Sequence, residues 1–209
     1  MSERDPLSQY YEAFHSEREK KGTVSAPGRV EWVVKGVGRG NRVLDLGCRS
    51  GDLTSHYADG NEVVGVDVDE RALGACRDRL GIRTVLHDLS SRLPFGDSEF
   101  DVVVLSEVLE HLPYPELTLG EIRRVLRDGG TLVGSVPNGA RLRNRLSFLL
   151  TGVVEQDRTH LWHYGAASLR RKLETAFSGV EIRPVGGRFL PLLPRMTAKY
   201  LLFLCEKEG

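Results

Sequence analysis

Cysteine is scarce in this chain: Cys48, Cys76 and Cys205 are the only three in 209 residues. An odd, scattered set builds neither a disulfide framework nor a zinc site, and it fits reduced cytoplasmic thiols. Net charge is missing too, because 29 Lys+Arg balance 29 Asp+Glu. That balance argues against a bulk nucleic-acid binder, although a local basic patch is compatible with it. No apolar run has the length of a membrane span. The N-terminus is charged from Glu3 onward and lacks the apolar core of a signal peptide. The expected location is cytoplasmic. Internal repeats and low-complexity tracts are absent. So are the two common nucleotide fingerprints, G-x-G-x-x-G and G-x-x-x-x-G-K-[ST]. What remains is ordinary for a soluble globular protein, 40% hydrophobic and 28% charged. The length predicts one domain over 1–209, divided into N-terminal helices (1–40), a core (41–138) and a lid with the last strands (139–209).

Strand and helix patterns alternate along the core. Short β-branched or apolar runs at 42–46, 62–67, 82–86, 100–105 and 131–136 read as strands. Helical patterns lie at 29–37, 52–59, 69–80, 106–112 and 115–127. A polar, aromatic-bearing helix is expected over 7–21 and a Gly/Pro loop over 21–28. Asp128-Gly129-Gly130 reads as a turn. Phe100 to Leu105 is continuous and β-branched, as suits a strand buried on both faces. The alternation predicts an α/β fold, Rossmann-like and doubly wound, with a mostly parallel seven-stranded sheet and helices on both faces. After Ala140 regularity falls. Residues 141–150 mix three arginines with leucines as an amphipathic helix, 151–165 read as loop, and Ser168 to Phe177 reads as a helix with Ser168 as N-cap. Strands at about 180–185 and 199–206 close the sheet. Between them the apolar segment 189–194 carries prolines that keep it from being a central strand.

The stretch Val43-Leu44-Asp45-Leu46-Gly47-Cys48-Arg49-Ser50-Gly51-Asp52 organises the rest. A strand ends in an acid, and Gly47 lets the backbone turn and approach a ligand closely. In open parallel sheets ligands bind beyond the carboxyl ends of the strands, where the order reverses. Arg49 sits where a dinucleotide pyrophosphate needs bare backbone, which disfavours NAD. The pattern instead resembles motif I of the class I S-adenosylmethionine (SAM)-dependent methyltransferases. The likeness extends through Val66-Asp67, Asp88-Leu89, Phe100 to Ser106, and Arg124-Val125-Leu126-Arg127-Asp128-Gly129-Gly130-Thr131-Leu132. Arg49 departs from the family glycine, so either its backbone angle is unusual or the turn opens.

The resemblance implies SAM as cofactor. Asp67, with Val68 beside it, would accept both ribose hydroxyls. Asp88 and Leu89 would take the adenine, Gly47 and Cys48 the methionine moiety by backbone, and Asp45 its ammonium. Ser106 closes motif IV, and Arg29 is a candidate for the methionine carboxylate, or a surface arginine. Motif IV runs into Ser106-Glu107-Val108-Leu109-Glu110-His111. On a helix Glu107, Glu110 and His111 would share a face, and Thr159-His160-Leu161-Trp162-His163 follows later. The set is similar to ubiquinone-biosynthesis O-methyltransferases and to small-RNA 2′-O-methyltransferases. In both the resemblance implies a divalent metal, magnesium or zinc, here on Glu107, Glu110, His111 and His160. Without metal, His111 or His160 is the proton acceptor, since imidazole titrates near neutrality.

The expected activity is methyl transfer from SAM to an oxygen or carbon of a small-molecule acceptor, a lipid-linked one included. The alternatives are an RNA 2′-O-methyltransferase and a non-catalytic SAM-binding protein. The arginines and leucines of 141–150 make either a solvated helix packing its leucines on the core or a contact with lipid.

Overall fold

The computed structural model describes residues 27–152, 159–187 and 194–209. The expected helix over 7–21, most of the loop over 21–28, residues 153–158 of the expected loop over 151–165, and residues 189–193 of the apolar segment lie outside the described residues.

The strands are β1 (Arg42–Leu46), β2 (Glu62–Asp67), β3 (Arg83–Leu86), β4 (Phe100–Ser106), β5 (Leu126–Pro137), β6 (Ser178–Val185) and β7 (Tyr200–Glu206). They form one seven-stranded sheet in the order β3-β2-β1-β4-β5-β7-β6. β7 runs antiparallel to both β5 and β6, and the remaining pairs are parallel. From β1 the chain steps outward to β2 and β3, then returns to the other side of β1 as β4. The order therefore reverses between β1 and β4, which is where a ligand crevice opens.

Side-chain alternation along the central strands explains why both faces are covered. Leu44, Leu46, Val64, Val66, Val103 and Leu105 enter one cluster, with Leu119, Ile122 and Val125 of helix α3 (Pro115–Val125). The alternate residues Val43, Val63, Val102, Val104 and Val133 enter another, with Val33 and Val37 of helix α1 (Pro27–Val37). Each fully buried Val or Leu contributes about 1.5–3 kcal/mol, so β1 and β4 are the hydrophobic backbone of the fold. Helix α2 (Glu70–Leu80) is capped by Asp69, whose side chain accepts from the Ala72 N–H. Helices α4 (Leu142–Thr151), α5 (Ala166–Leu173) and the short α6 (Pro194–Thr197) complete the described elements.

Several expectations change. The helix expected over 52–59 is only a 3₁₀ turn, Thr54–His56. Side chains at i and i+3 eclipse in that geometry, and Thr54 Oγ1 and Tyr57 Oη both reach Asp45 Oδ2, at 2.6 Å each. The helix expected over 106–112 is likewise a 3₁₀ turn, Leu109–His111. Glu107 has φ +59°, which stops a right-handed helix from starting at Ser106. The Asp128-Gly129-Gly130 turn is an irregularity inside β5: Phe100 pairs with Leu126 but Val102 with Thr131. Helix α5 starts earlier than expected, with Gly165 as N-cap. Ser168 is inside it, accepting from the Gly165 N–H at 2.9 Å.

Candidate active site

The loop after β1 is held by its neighbour strand. Gly47 N and Cys48 N both donate to Val66 O, at 2.8 and 3.1 Å. Gly47 has φ +77°, and a Cβ there would lie 2.4 Å from Val108 Cγ2. The position therefore tolerates only glycine, for both angle and space. Arg49 takes the left-handed region, φ +49°; the unusual-angle alternative is the one realised. For a residue with a Cβ this costs about 1–2 kcal/mol. The Arg49 N–H is recovered by Asp67 Oδ2 at 2.9 Å, while Asp67 Oδ1 accepts from Asp69 N at 3.0 Å. Two backbone donors thus fix the buried Asp67 carboxylate beside the loop.

Asp45 lies beneath. Burial pushes its carboxyl up to about 6, against the hydrogen bonds from Thr54 and Tyr57 that pull it down. Cys48 keeps its side chain in a small cluster with Leu73 and Cys76, leaving its backbone for the loop. Its hydrogen bond with the Cys76 thiol, together with burial, pushes the Cys48 thiol up, and the same bond lowers that of Cys76. After β3, Asp88 Oδ1 accepts from Ser90 N at 2.8 Å. Leu89 is buried, and its carbonyl accepts from Thr118 Oγ1.

A second group gathers at the carboxyl ends of β4 and β5. Ser135 Oγ donates to Glu107 Oε1 at 2.8 Å. Its single hydroxyl hydrogen is then spent, so Ser106 Oγ donates to Ser135 Oγ, also at 2.8 Å. Arg29 Nη1 stands 3.8 Å from Glu107 Oε2 and its guanidinium lies over Tyr200. Arg29 Nε is buried without a hydrogen-bond partner among the described residues.

The third group is Glu110, His111 and His160. Glu110 Oε1 lies 3.8 Å from His111 Nε2 and 3.9 Å from His160 Nε2. The two rings meet edge to face at 4.8 Å. One donor atom from each residue falls within 4.8 Å of the others. His111 Nδ1 is 3.1 Å from Thr159 O. A neutral imidazole donating there carries its free lone pair on Nε2, toward Glu110 and His160. The loop holding His160 is pinned by Leu161 N and Trp162 N, both donating to Glu110 O, and by Trp162 Nε1 donating to Leu112 O.

The structure thus brings together three of the four residues expected at a metal. The shared helical face expected for Glu107 does not exist, because the positive φ turns Glu107 toward Ser135 and Arg29. Sequence reading passed over Thr54, Tyr57, Ser135 and Tyr164. Ser135 had a signal, a hydroxyl inside an apolar strand, which needs a partner when buried. Tyr164 is buried, with its hydroxyl unpartnered among the described residues, and burial pushes that hydroxyl up. An open depression lined by Gly40, Asn41, Arg42, Gly60, Asn61, Glu62 and Asp101 lies at the opposite, amino-terminal edge of the sheet and has no part in this group.

Comparisons agree with the geometry. The methyltransferase domain family matches residues 44–134. The ubiquinone biosynthesis O-methyltransferase of Aromatoleum aromaticum is 37% identical over 119 residues, 54% of this chain and 51% of that protein. The ubiquinone/menaquinone biosynthesis C-methyltransferase of Azotobacter vinelandii is 36% identical over 111 residues, 48% of this chain and 44% of that protein. The chain spans about half the length of these curated relatives. A SAM-dependent methyltransferase structure from Thermotoga maritima has a TM-score of 0.76 at 18% identity, covering 96% of this chain and 99% of that one; the likeness is one of fold.

Proposed function

Since the chain belongs to the class I SAM-dependent methyltransferases, we propose that it transfers the methyl group of SAM to an oxygen or carbon of a small-molecule acceptor. One juxtaposition carries this reading. β1 pairs with β2 on one side and β4 on the other. The loop with Asp67 and the cluster of Glu110, His111 and His160 therefore stand on either side of the reversal point.

The residues fit SAM. Gly47 keeps a bare, sharply turned backbone at the end of β1, and Arg29 Nε offers a buried donor for the methionine carboxylate. Asp67 is aimed to accept the ribose hydroxyls, Asp88 and Leu89 flank the adenine, and Asp45 attracts the methionine ammonium when ionised. When bound, SAM supplies a methyl group on an electrophilic sulfonium. The chain then has to position an acceptor in line with that methyl and take its proton. His111 Nε2 or His160 accepts it, and Glu110 stabilises the imidazolium that results. The Tyr164 hydroxyl is a donor left over for the acceptor.

A divalent cation, magnesium or zinc, is the second reading of the same cluster, favoured by one carboxylate and two imidazoles converging. The bond from His111 to Thr159 O is the outer contact that orients a metal-ligating histidine. Glu110, His111 and His160 would hold the ion, which would lower the pKa of an acceptor hydroxyl.

Incubation with labelled SAM and fractionated metabolites, with and without EDTA, tests both readings. Labelled product supports transfer. Loss in EDTA restored by magnesium or zinc supports the cation, and full activity in EDTA rejects it. Label on RNA 3′ ends alone, with none on metabolites, would replace the small-molecule acceptor by RNA. SAM binding with no label on any acceptor would leave only a SAM-binding protein.

A further inference from the structure

Helix α4 is amphipathic in the wrong sense for a helix that packs on a core. Its polar side faces the protein: Asn144 Nδ2 donates to Gly139 O at 3.2 Å, and Ser147 is half-buried. Its apolar side faces solvent. Leu142, Leu146, Leu149 and Leu150 follow at helical spacing, and exposure rises along them from 39% at Leu142 through 49% at Leu146 to 78% and 83% at Leu149 and Leu150, with Phe148 at 57%. A soluble surface seldom presents such a run without a partner. The expectation that these leucines pack on the core is overturned by that exposure.

Charge is equally one-sided. From Gly129 to Val154 the sequence contains no Asp or Glu, yet it holds Arg141, Arg143 and Arg145. The chain as a whole is neutral, so this is a local basic patch at the start of the exposed apolar stripe. A surface with negative charge at its rim and an apolar interior satisfies both halves of the pattern.

We propose that α4 is an interfacial docking helix that lies on an anionic lipid bilayer, with Leu146, Phe148, Leu149 and Leu150 entering the acyl boundary and the arginines at the headgroups. The helix leaves the sheet at the carboxyl end of β5. Gly139, just before it, donates to Tyr164 O and lies against His163. Docking therefore sets the edge carrying His111 and His160 beside the bilayer. The docking itself stands on α4 alone; only the delivery of a membrane-borne acceptor rests on the methyltransferase reading.

The test is co-sedimentation of the full chain with phosphatidylcholine vesicles, with and without phosphatidylglycerol. Binding to the phosphatidylglycerol vesicles, weakened by added salt, is the expected result. The pair L149E/L150E should weaken it at least about tenfold, and R141Q/R145Q about tenfold or more. Both variants should melt at the wild-type temperature in lipid-free buffer. Equal recovery with and without phosphatidylglycerol overturns the proposal, and this arm needs no variant. So does a lowered melting temperature of L149E/L150E, which would mean the leucines are packed. A lipid-indifferent dimer that L149E/L150E dissolves would assign the face to a second copy instead. SAM affinity measured without lipid reports separately on the proposed function.

Discussion

The two sides of the reversal point are built differently. On the β1–β2 side, polar side chains are held by the backbone and by near neighbours: Asp67 by Arg49 N and Asp69 N, Asp45 by Thr54 and Tyr57. On the β4–β5 side, the groups are held across long stretches of chain. His111 meets Thr159 O, and Glu110 O anchors Leu161 and Trp162. The first arrangement suits a fixed, repeatedly used ligand. The second places a carboxylate and two imidazoles in contact with one another, where a proton or a cation has somewhere to go. On the proposed roles, the difference teaches that binding and chemistry sit on separate strands and should be separable by mutation.

The largest expected effect breaks the chemical side alone. His111→Ala should lower turnover about a hundred- to ten-thousand-fold while SAM affinity, read by calorimetry, stays at the wild-type value. A parallel fall in SAM affinity would show that the two sides are one unit.

The next sharpens the binding side through pH. Burial raises the Asp45 carboxyl from 3.8 to about 6, so the folded state holds this proton more tightly than the unfolded one. Its contribution to stability is full below about pH 4 and is lost as pH rises through 6. At 1.36 kcal/mol per pH unit the change is roughly 3 kcal/mol at most. Chemical denaturation of wild type and Asp45→Asn across this window should show their difference shrinking toward pH 7. A difference that stays flat with pH would refute the assignment. SAM affinity should move the opposite way, weakening below about pH 6 as the carboxylate is neutralised, and Asp45→Asn should flatten that slope.

Arg49→Gly relieves a left-handed residue and should stabilise the fold by about 1 kcal/mol, less than the full strain because glycine loses more entropy on folding. An unchanged or lower melting midpoint would say that the Arg49 side chain contributes something the loop geometry does not reveal. The smallest effect belongs to Tyr164→Phe. Loss of one neutral hydrogen bond should raise the acceptor KM about fivefold with turnover and SAM affinity unchanged; an unchanged KM would remove Tyr164 from the acceptor site.

The same contrast explains what could be read in advance. The β1 loop, Asp67 and the five parallel strands are local: a β-branched run, an acid, a glycine turn and a helical period lie next to one another in the chain. The cluster of Glu110, His111 and His160 was legible as residue types, but not as a geometry. Its assembly depends on Glu107 adopting a positive φ and on Thr159 meeting His111 from far along the chain, and no periodicity encodes either. The turn at 54–56 was misread as an α-helix because propensity carries no information about the Asp45 carboxylate that draws Thr54 and Tyr57 to one point. Helix α4 was recognisable as amphipathic, yet which face turns inward depends on Asn144 reaching the Asn138–Gly139 backbone.

Titration calorimetry of SAM against the wild-type chain and Asp67→Ala tests the central claim most directly. The wild type should bind one SAM per chain, and the variant should bind about a hundredfold more weakly, because two charge-assisted hydrogen bonds to the ribose are lost. No heat with the wild type, or equal affinity in both proteins, would contradict it.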